Sequence, residues 1–530
     1  MGLTTAHFAG TGVRSGPLTM GQANMVRCVR TDPPEHMNYQ VIRPLPQGVT
    51  VASLAEAVGV LLSRHESLRT LFTDTTQEVL AEGTLSVEVC EEAAAEVARR
   101  LQGGRFEVES EIPLRVAVIT AGGVPEQVVL VTTHSAVDAI GLAVLLAEWD
   151  QLVLGKPLPP VTAPQPVDVA GTEASPASRR RAEAALRYWE TQLRRIPHST
   201  LTVSVDDTGT DWLLPRLRVR SAAAARALRR ITVRTGVSGS AAVLGALATL
   251  AGLRGGADTV PVLSISANRF RPELREYVGP LAQDALVPVE LDHESFDGVL
   301  GGVRSGTLAA YQNSRFDAAA LIEIMERVQR ERGVFFARDV VFNDMSAPGQ
   351  GARVVAASDR DVRSAWLPEA TLPTRTSLWV NRLEGEYDAV LWADPRCLPR
   401  EDALLLGEGV ARLLIEAGRR DVPLAELPEL TGISPVPRGA GWVRSDQNWT
   451  ELAEVRRLLP EPSEVVVEGA RLVAYTAADT TPEELHETCL RQLPGRMSAV
   501  TPQHYVICAR PPGLGESWPE LPRLREGSGR

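Results

Sequence analysis

His134 and Asp138 lie four residues apart in the segment His-Ser-Ala-Val-Asp, and both side chains can handle a proton. A neutral imidazole, whose ordinary pKa is about 6.5, can accept a proton from an attacking amine or hydroxyl near neutral pH. A carboxylate at that spacing can act as a second base or hold the turn in shape, and spacing alone decides neither. Ser135 adjoins the histidine, but no G-x-S-x-G elbow surrounds it, so a covalent serine mechanism is not expected. His7, His36, His198, His293, His486 and His504 show no ligand spacing, and no metal is expected.

Such a pair needs a rigid mount. Val128–Thr133 is a run of apolar and β-branched residues and predicts a buried strand ending at the histidine. Leu142, Leu145, Leu146, Trp149 and Leu152 follow at helical spacing, with Gly155 placed to end the helix. Leu114–Thr120 and Glu126–Thr133 alternate on either side of Ala-Gly-Gly-Val-Pro and predict a hairpin whose second strand delivers His134. Thr50 can cap a helix with Leu54, Val58, Leu61 and Leu62 on one face, and Leu68–Phe72 continues as a strand. Together these predict a mixed sheet covered by helices.

With that context, His134–Asp138 resembles the HHxxxDG motif of nonribosomal peptide synthetase condensation domains, within the chloramphenicol-acetyltransferase-like HxxxD acyltransferases. Other segments resemble the family in order: Gly16–Gln22, Arg64–Arg69 (RHESLR), Phe106–Arg115 (FEVESEIPLR), Ala267–Arg269 (ANR) and Tyr277–Val289 (YVGPLAQDALVPV). The resemblance covers residues 16–428. It implies two similar α/β lobes in a V shape around a central tunnel, with His134 accepting or orienting the nucleophile's proton. It assigns Asp138 a structural pairing with an arginine, Arg269 first and Arg69 second, with Arg69 otherwise read as a structural arginine that shapes the tunnel wall. His65 and Glu66 read as structural, where a helix hands over to a strand. Three positions depart from the family pattern: Thr133 replaces the first histidine, Ala139 the glycine after the aspartate, and Gln283 the asparagine of the NTLPLR region. Ala139 suggests a backbone angle that does not require glycine.

A chain of 530 residues is too long for one core, and its 44% apolar content suffices for two or three. The net charge of −11 argues against a nucleic-acid partner. Lys156 is the single lysine. Cys28, Cys90, Cys397, Cys489 and Cys508 are odd in number and form no CxxC pair, which points to a reducing compartment. No signal peptide or membrane span is read, and a cytoplasmic monomer is expected.

Three domains are expected: 1–175 carrying the HxxxD motif, 176–430 as a second lobe, and 431–530 as a small α+β unit. Residues 156–180 read as a linker, and the arginines of helix 179–195 as a solvated face. The second lobe is read from helices Ala222–Thr235, Ser240–Leu253 and Ala403–Ala417, and from strands Thr259–Ser266, Leu286–Leu291, Val340–Phe342, Ser377–Asn381 and Tyr387–Trp392. In the tail the reading is helix 450–459, strands 463–468 and 471–476, helix 482–493 and strand 504–508. Arg471–Pro511 resembles the small C-terminal subdomain of adenylation domains, yet holds no lysine, so adenylation is not expected.

The resulting expectation is a free-standing condensation enzyme of natural-product biosynthesis. It would join an acyl or aminoacyl thioester on a carrier protein's phosphopantetheine to an amine or alcohol, either a small molecule or carrier-bound. No carrier segment or adenylation core is read in the chain, so both substrates are expected from other proteins or from solution, and no cofactor of its own is expected. Two alternatives stand beside it: a non-catalytic module that recruits tailoring enzymes to a carrier protein, and an acyl-CoA-dependent transferase.

Overall fold

The computed structural model describes residues 2–203, 212–346, 361–469 and 471–530. The chain divides into two compact units. The first gathers residues 1–186, 266–283 and 313–321, and the second 187–265, 284–312 and 322–530. Segments 266–283 and 313–321, expected with the lobe 176–430, therefore pack with the first unit. The physical reason is a set of buried polar contacts described below.

The first unit is built on a five-stranded sheet in the order Gly2–Ala9, Glu82–Cys90, Leu114–Ala121, Val124–Thr133, Asn38–Pro44. Only the Glu82–Cys90 to Leu114–Ala121 contact is parallel; the others are antiparallel. Val128 and Leu130 enter one apolar cluster, Val129 and Val131 another on the opposite face. That two-residue alternation explains why the strand reads as continuously apolar: helices cover both of its faces. Val51–Arg64 and Ala139–Val153 contribute Leu54, Val58, Leu145 and Trp149 to the first cluster. Met20–Thr31 and Ala94–Gly103 contribute Val26, Val29 and Val97 to the second.

Two expectations change here. The strand expected at Leu68–Phe72 is a 3-10 turn, Glu66–Arg69, followed by a short strand, Thr70–Phe72. The Thr70 hydroxyl donates to Glu66 O at 2.6 Å and holds that turn. The expected linker 156–180 contains a helix, Pro166–Glu173, with proline in its first turn and Gln165 and Asp168 exchanging cap hydrogen bonds. Its proline sits where helices tolerate one, which disguises the helix as linker composition.

The second unit has a seven-stranded sheet in the order Gln283–Glu290, Thr259–Ser266, Val340–Asp344, Thr376–Arg382, Tyr387–Ala393, Leu213–Ser221, Arg363–Thr371. Helices Ala222–Thr235, Gly239–Gly255 and Arg400–Ala417 share one large core with it. Among the described residues no single helix is long and apolar enough to cross a membrane.

The tail's four-stranded sheet runs Ser463–Glu468, Arg471–Thr476, His504–Cys508, Arg523–Gly527. Its helix, Pro482–Gln492, carries the Thr481–Glu484 capping box. The helix expected from residue 450 starts at Leu452 instead, because Asn448–Glu451 pairs with Trp442–Ser445 as a hairpin. That hairpin region grips the end of helix Gly239–Gly255. Arg438 Nη2 donates to Gly255 O at 2.8 Å, and Arg444 Nη1 and Trp449 Nε1 donate to Gly256 O at 2.9 and 3.0 Å. Helix-end carbonyls lack intrahelical partners and attract cations, so these donors answer a standing need.

Candidate active site

Strand Val124–Thr133 ends at a turn closed by Ala136 N to Thr133 O, 3.0 Å, and helix Ala139–Val153 begins directly after it. His134 N donates to Met37 O at 2.8 Å, which fixes the turn to the residue just before strand Asn38–Pro44. Thr133 is fully buried beneath it. Ala139 is the first residue of the helix and needs no left-handed angle, so alanine is at ease there.

Asp138 is the helix N-cap, and Oδ1 accepts from Gly141 N at 2.9 Å. The same oxygen accepts from Arg269 Nη2 at 2.7 Å, and Oδ2 accepts from Leu281 N at 3.0 Å. Both side chains are almost wholly shielded, 3% and 6% exposed. Such a pair is stable in a low-dielectric setting only because hydrogen bonds occupy its remaining lone pairs and the helix end favours the negative charge. The carboxylate thereby ties the loop 269–281 to the start of the helix that follows the His134 turn.

Two tight approaches make this possible. A Cβ at Gly141 would lie 3.3 Å from Gly279 N, and one at Gly21 would lie 2.0 Å from Pro280 O. Asn268 turns the chain into the loop with φ +54°, a left-handed angle that asparagine tolerates better than most residues. Its amide donates to Leu281 O and Ser314 O at 3.0 and 2.9 Å, and its oxygen accepts from the Ser314 hydroxyl at 2.7 Å. Gln283 Nε2 donates to Phe316 O at 3.0 Å, so it ties the end of this loop to segment 313–321 within the first unit.

The RHESLR segment braces the same helix from its other end. Arg64 and His65 both bind Glu148, Arg64 Nη2 at 2.9 Å and His65 Nε2 at 2.7 Å. Burial alone would raise the Glu148 carboxyl, but hydrogen bonds from His65 and Arg64 and their charges outweigh it and take the pKa down to about 2. Glu66 accepts Arg14 at 3.0 and 3.1 Å. The Ser67 hydroxyl donates to Ala136 O, inside the turn itself. Arg69, the second choice as partner of Asp138, is committed elsewhere: its Nε donates to Leu62 O at 3.1 Å and its Nη1 to Leu80 O.

His134 is half-buried. Burial lowers its pKa, opposed by the Asp138 charge and by the backbone carbonyls of His134 and Val137. A lowered pKa favours the neutral imidazole, the form able to accept a proton. Its Nε2 lies 2.8 Å from the Tyr39 hydroxyl, and the two rings are tilted by 43° with centroids 4.8 Å apart. Tyr39 and Asn268 carry no expected role from the sequence. Asn268 has a faint signal, being the residue type that best accepts a left-handed turn; Tyr39 has none, because strand register sets its position.

The chain belongs to the condensation-domain family: the family's model matches residues 17–365, more than half of the chain. Condensation domains are generally acyltransferases that form amide or ester bonds. The hybrid PKS-NRPS synthetase buaA of Petromyces alliaceus is 30% identical over 177 residues, covering 31% of this chain and 4% of that protein. The probable non-canonical nonribosomal peptide synthetase CymA of Salinispora arenicola is 28% identical over 305 residues, covering 53% and 4%. The chain thus spans a small fraction of these curated relatives. Among solved structures, the SgcC5 protein from Streptomyces globisporus matches with TM-score 0.59 at 18% identity, over 77% of this chain and all of that one. The complex of the X-domain and OxyB from teicoplanin biosynthesis matches with TM-score 0.61 at 16% identity, over 78% and 95%. These structural likenesses speak for the fold.

Proposed function

We propose that this chain transfers an acyl or aminoacyl group from the phosphopantetheine thioester of a carrier protein to an amine or alcohol. The observation that carries the reading is an imidazole mounted at a strand end, just before a helix that is pinned at both ends. His134 takes the nucleophile's proton as it attacks the thioester carbonyl. Asp138 and Arg269 hold the turn and do not exchange protons with substrate. Positioning of this kind is a large part of what an acyl transfer between two bound partners requires. Phosphopantetheine arrives with the carrier as substrate. The lysine-free tail serves as scaffold and does not adenylate.

The test uses acyl and aminoacyl thioesters on a phosphopantetheinylated carrier protein, with amines and alcohols as acceptors. His134→Ala is expected to lose at least about 100-fold in turnover, the scale of general-base catalysis, with an unchanged thermal midpoint. A variant that turns over at the wild-type rate would refute the assignment. A wild-type protein that binds loaded carrier but transfers nothing would assign it instead to the recruiting role.

A further inference from the structure

The imidazole of His134 does not present a bare lone pair to a nucleophile: Tyr39 Oη occupies Nε2 at 2.8 Å. This contact is set by the sheet. Tyr39 faces Thr132 and Asn38 faces Thr133 across antiparallel strands. Asn38 is itself pinned, its Nδ2 donating to Gln102 O and Gly104 O at 2.8 and 3.0 Å. Neither ring hangs from a free loop, so the two stay in register without substrate. Burial first, and then the Asp138 charge, keep the phenol protonated. A neutral phenol and a neutral imidazole joined by one short hydrogen bond form a path along which a proton can pass.

We propose that Tyr39 is a catalytic relay between the nucleophile and His134. The proposal rests on the acyl-transfer reading above. The attacking N–H or O–H gives its proton to Tyr39 Oη while the phenol gives its own proton to His134 Nε2. The new C–N or C–O bond forms as this happens. When the tetrahedral intermediate collapses, the C–S bond breaks, the imidazolium returns a proton to Oη, and the phenol proton passes to the leaving thiolate. Tyr39 and His134 end neutral, nothing is oxidised or reduced, and thioester plus amine or alcohol becomes amide or ester plus thiol.

Tyr39→Phe removes the hydroxyl and keeps the ring against His134. With the same carrier-bound donors, kcat should fall about 100-fold while the donor KM stays unchanged. A plot of rate against deuterium content of the solvent should curve for the wild type, two protons being in flight, and be straight for the variant. Tyr39→Phe combined with His134→Ala should be no slower than His134→Ala alone. A Tyr39→Phe variant with wild-type kcat, or with a raised kcat, would overturn the relay while leaving the base assignment standing. A lowered thermal midpoint with unchanged kcat per folded molecule would make Tyr39 a packing residue and also overturn it. If the wild type transfers nothing from any donor, the acyl-transfer reading itself falls, an outcome distinct from failure of the relay.

Discussion

Asp138 in the first unit and Asp339 in the second are built alike. Asp138 gathers Gly141 N, Leu281 N and Arg269; Asp339 gathers Thr200 N at 2.8 Å, Leu201 N at 3.1 Å, the Ser199 hydroxyl and Arg375 at 3.5 Å. Each has a histidine close by in sequence along the chain it organises, His134 and His198. The histidines have opposite fates. His198 is fully buried; its Nε2 lies 3.2 Å from Met497 O and its backbone N–H donates to Asn448 Oδ1 at 3.0 Å. Burial, aided by the charge of Arg332, pushes its pKa down to about 4. His198 is a joint between the second unit's body and its tail. His134 keeps one side less enclosed and meets a hydroxyl that can itself move a proton. Under the proposed function, the same carboxylate anchor serves structure in one unit and chemistry in the other, according to what faces the neighbouring imidazole.

The sharpest way to break this comparison is to remove one half of the first anchor. Asp138→Ala and Arg269→Ala should each cost about 3–5 kcal/mol, because each strands a buried charge. Thermal midpoints of the two single variants and the double should be strongly non-additive; additive losses would mean that the residues do not interact. Turnover per folded molecule should fall as well, since the turn bearing His134 loses its tie.

Asp339→Ala should also cost about 3–5 kcal/mol, because it strands the buried Arg375 guanidinium. Turnover per folded molecule should stay at the wild-type level, measured with the same donors. A loss of turnover beyond the loss of folded protein would show that the second anchor reaches the chemistry, and the contrast would fail.

The smallest expected effect is in acid. The folded-state pKa of Glu148 lies below its ordinary value near 4.5, at about 2. Its stabilising contribution is therefore complete above about pH 4.5 and is lost as the pH falls toward 2. Glu148→Gln should lower the midpoint at pH 6 and flatten the acid limb across that window. An acid limb identical to wild type would mean that Arg64 and His65 do not brace the helix.

What was legible in the sequence was local. The hairpin Leu114–Ala121 with Val124–Thr133 and the helix after Asp138 were readable, because period-two and helical spacings are written within a few residues. Arg269 was nominated through a family resemblance, and its distance to Asp138 comes from the structure alone. Tyr39 was not readable: it is 95 residues from His134, and only strand pairing brings them together. The hairpin Trp442–Glu451 escaped because its turn uses Asp446 and Gln447 at positive φ, without a glycine to mark it. Arg69 is the contrary case. A buried arginine is an obvious partner for a buried carboxylate, but here its donors go to the Leu62 and Leu80 carbonyls.

Helix Ala139–Val153 can finally be viewed as a beam. Asp138 clamps one end, and Arg64 with His65 hold Glu148 near the other. At 1.5 Å per residue these supports stand about 15 Å apart, so a slip of about 1 Å at Glu148 turns the beam by only about 4° at its capped end. A beam supported at one end would pass its whole sway to the turn; one supported at both divides it down. Mechanical noise from the far end of the helix is thus attenuated before it reaches the imidazole.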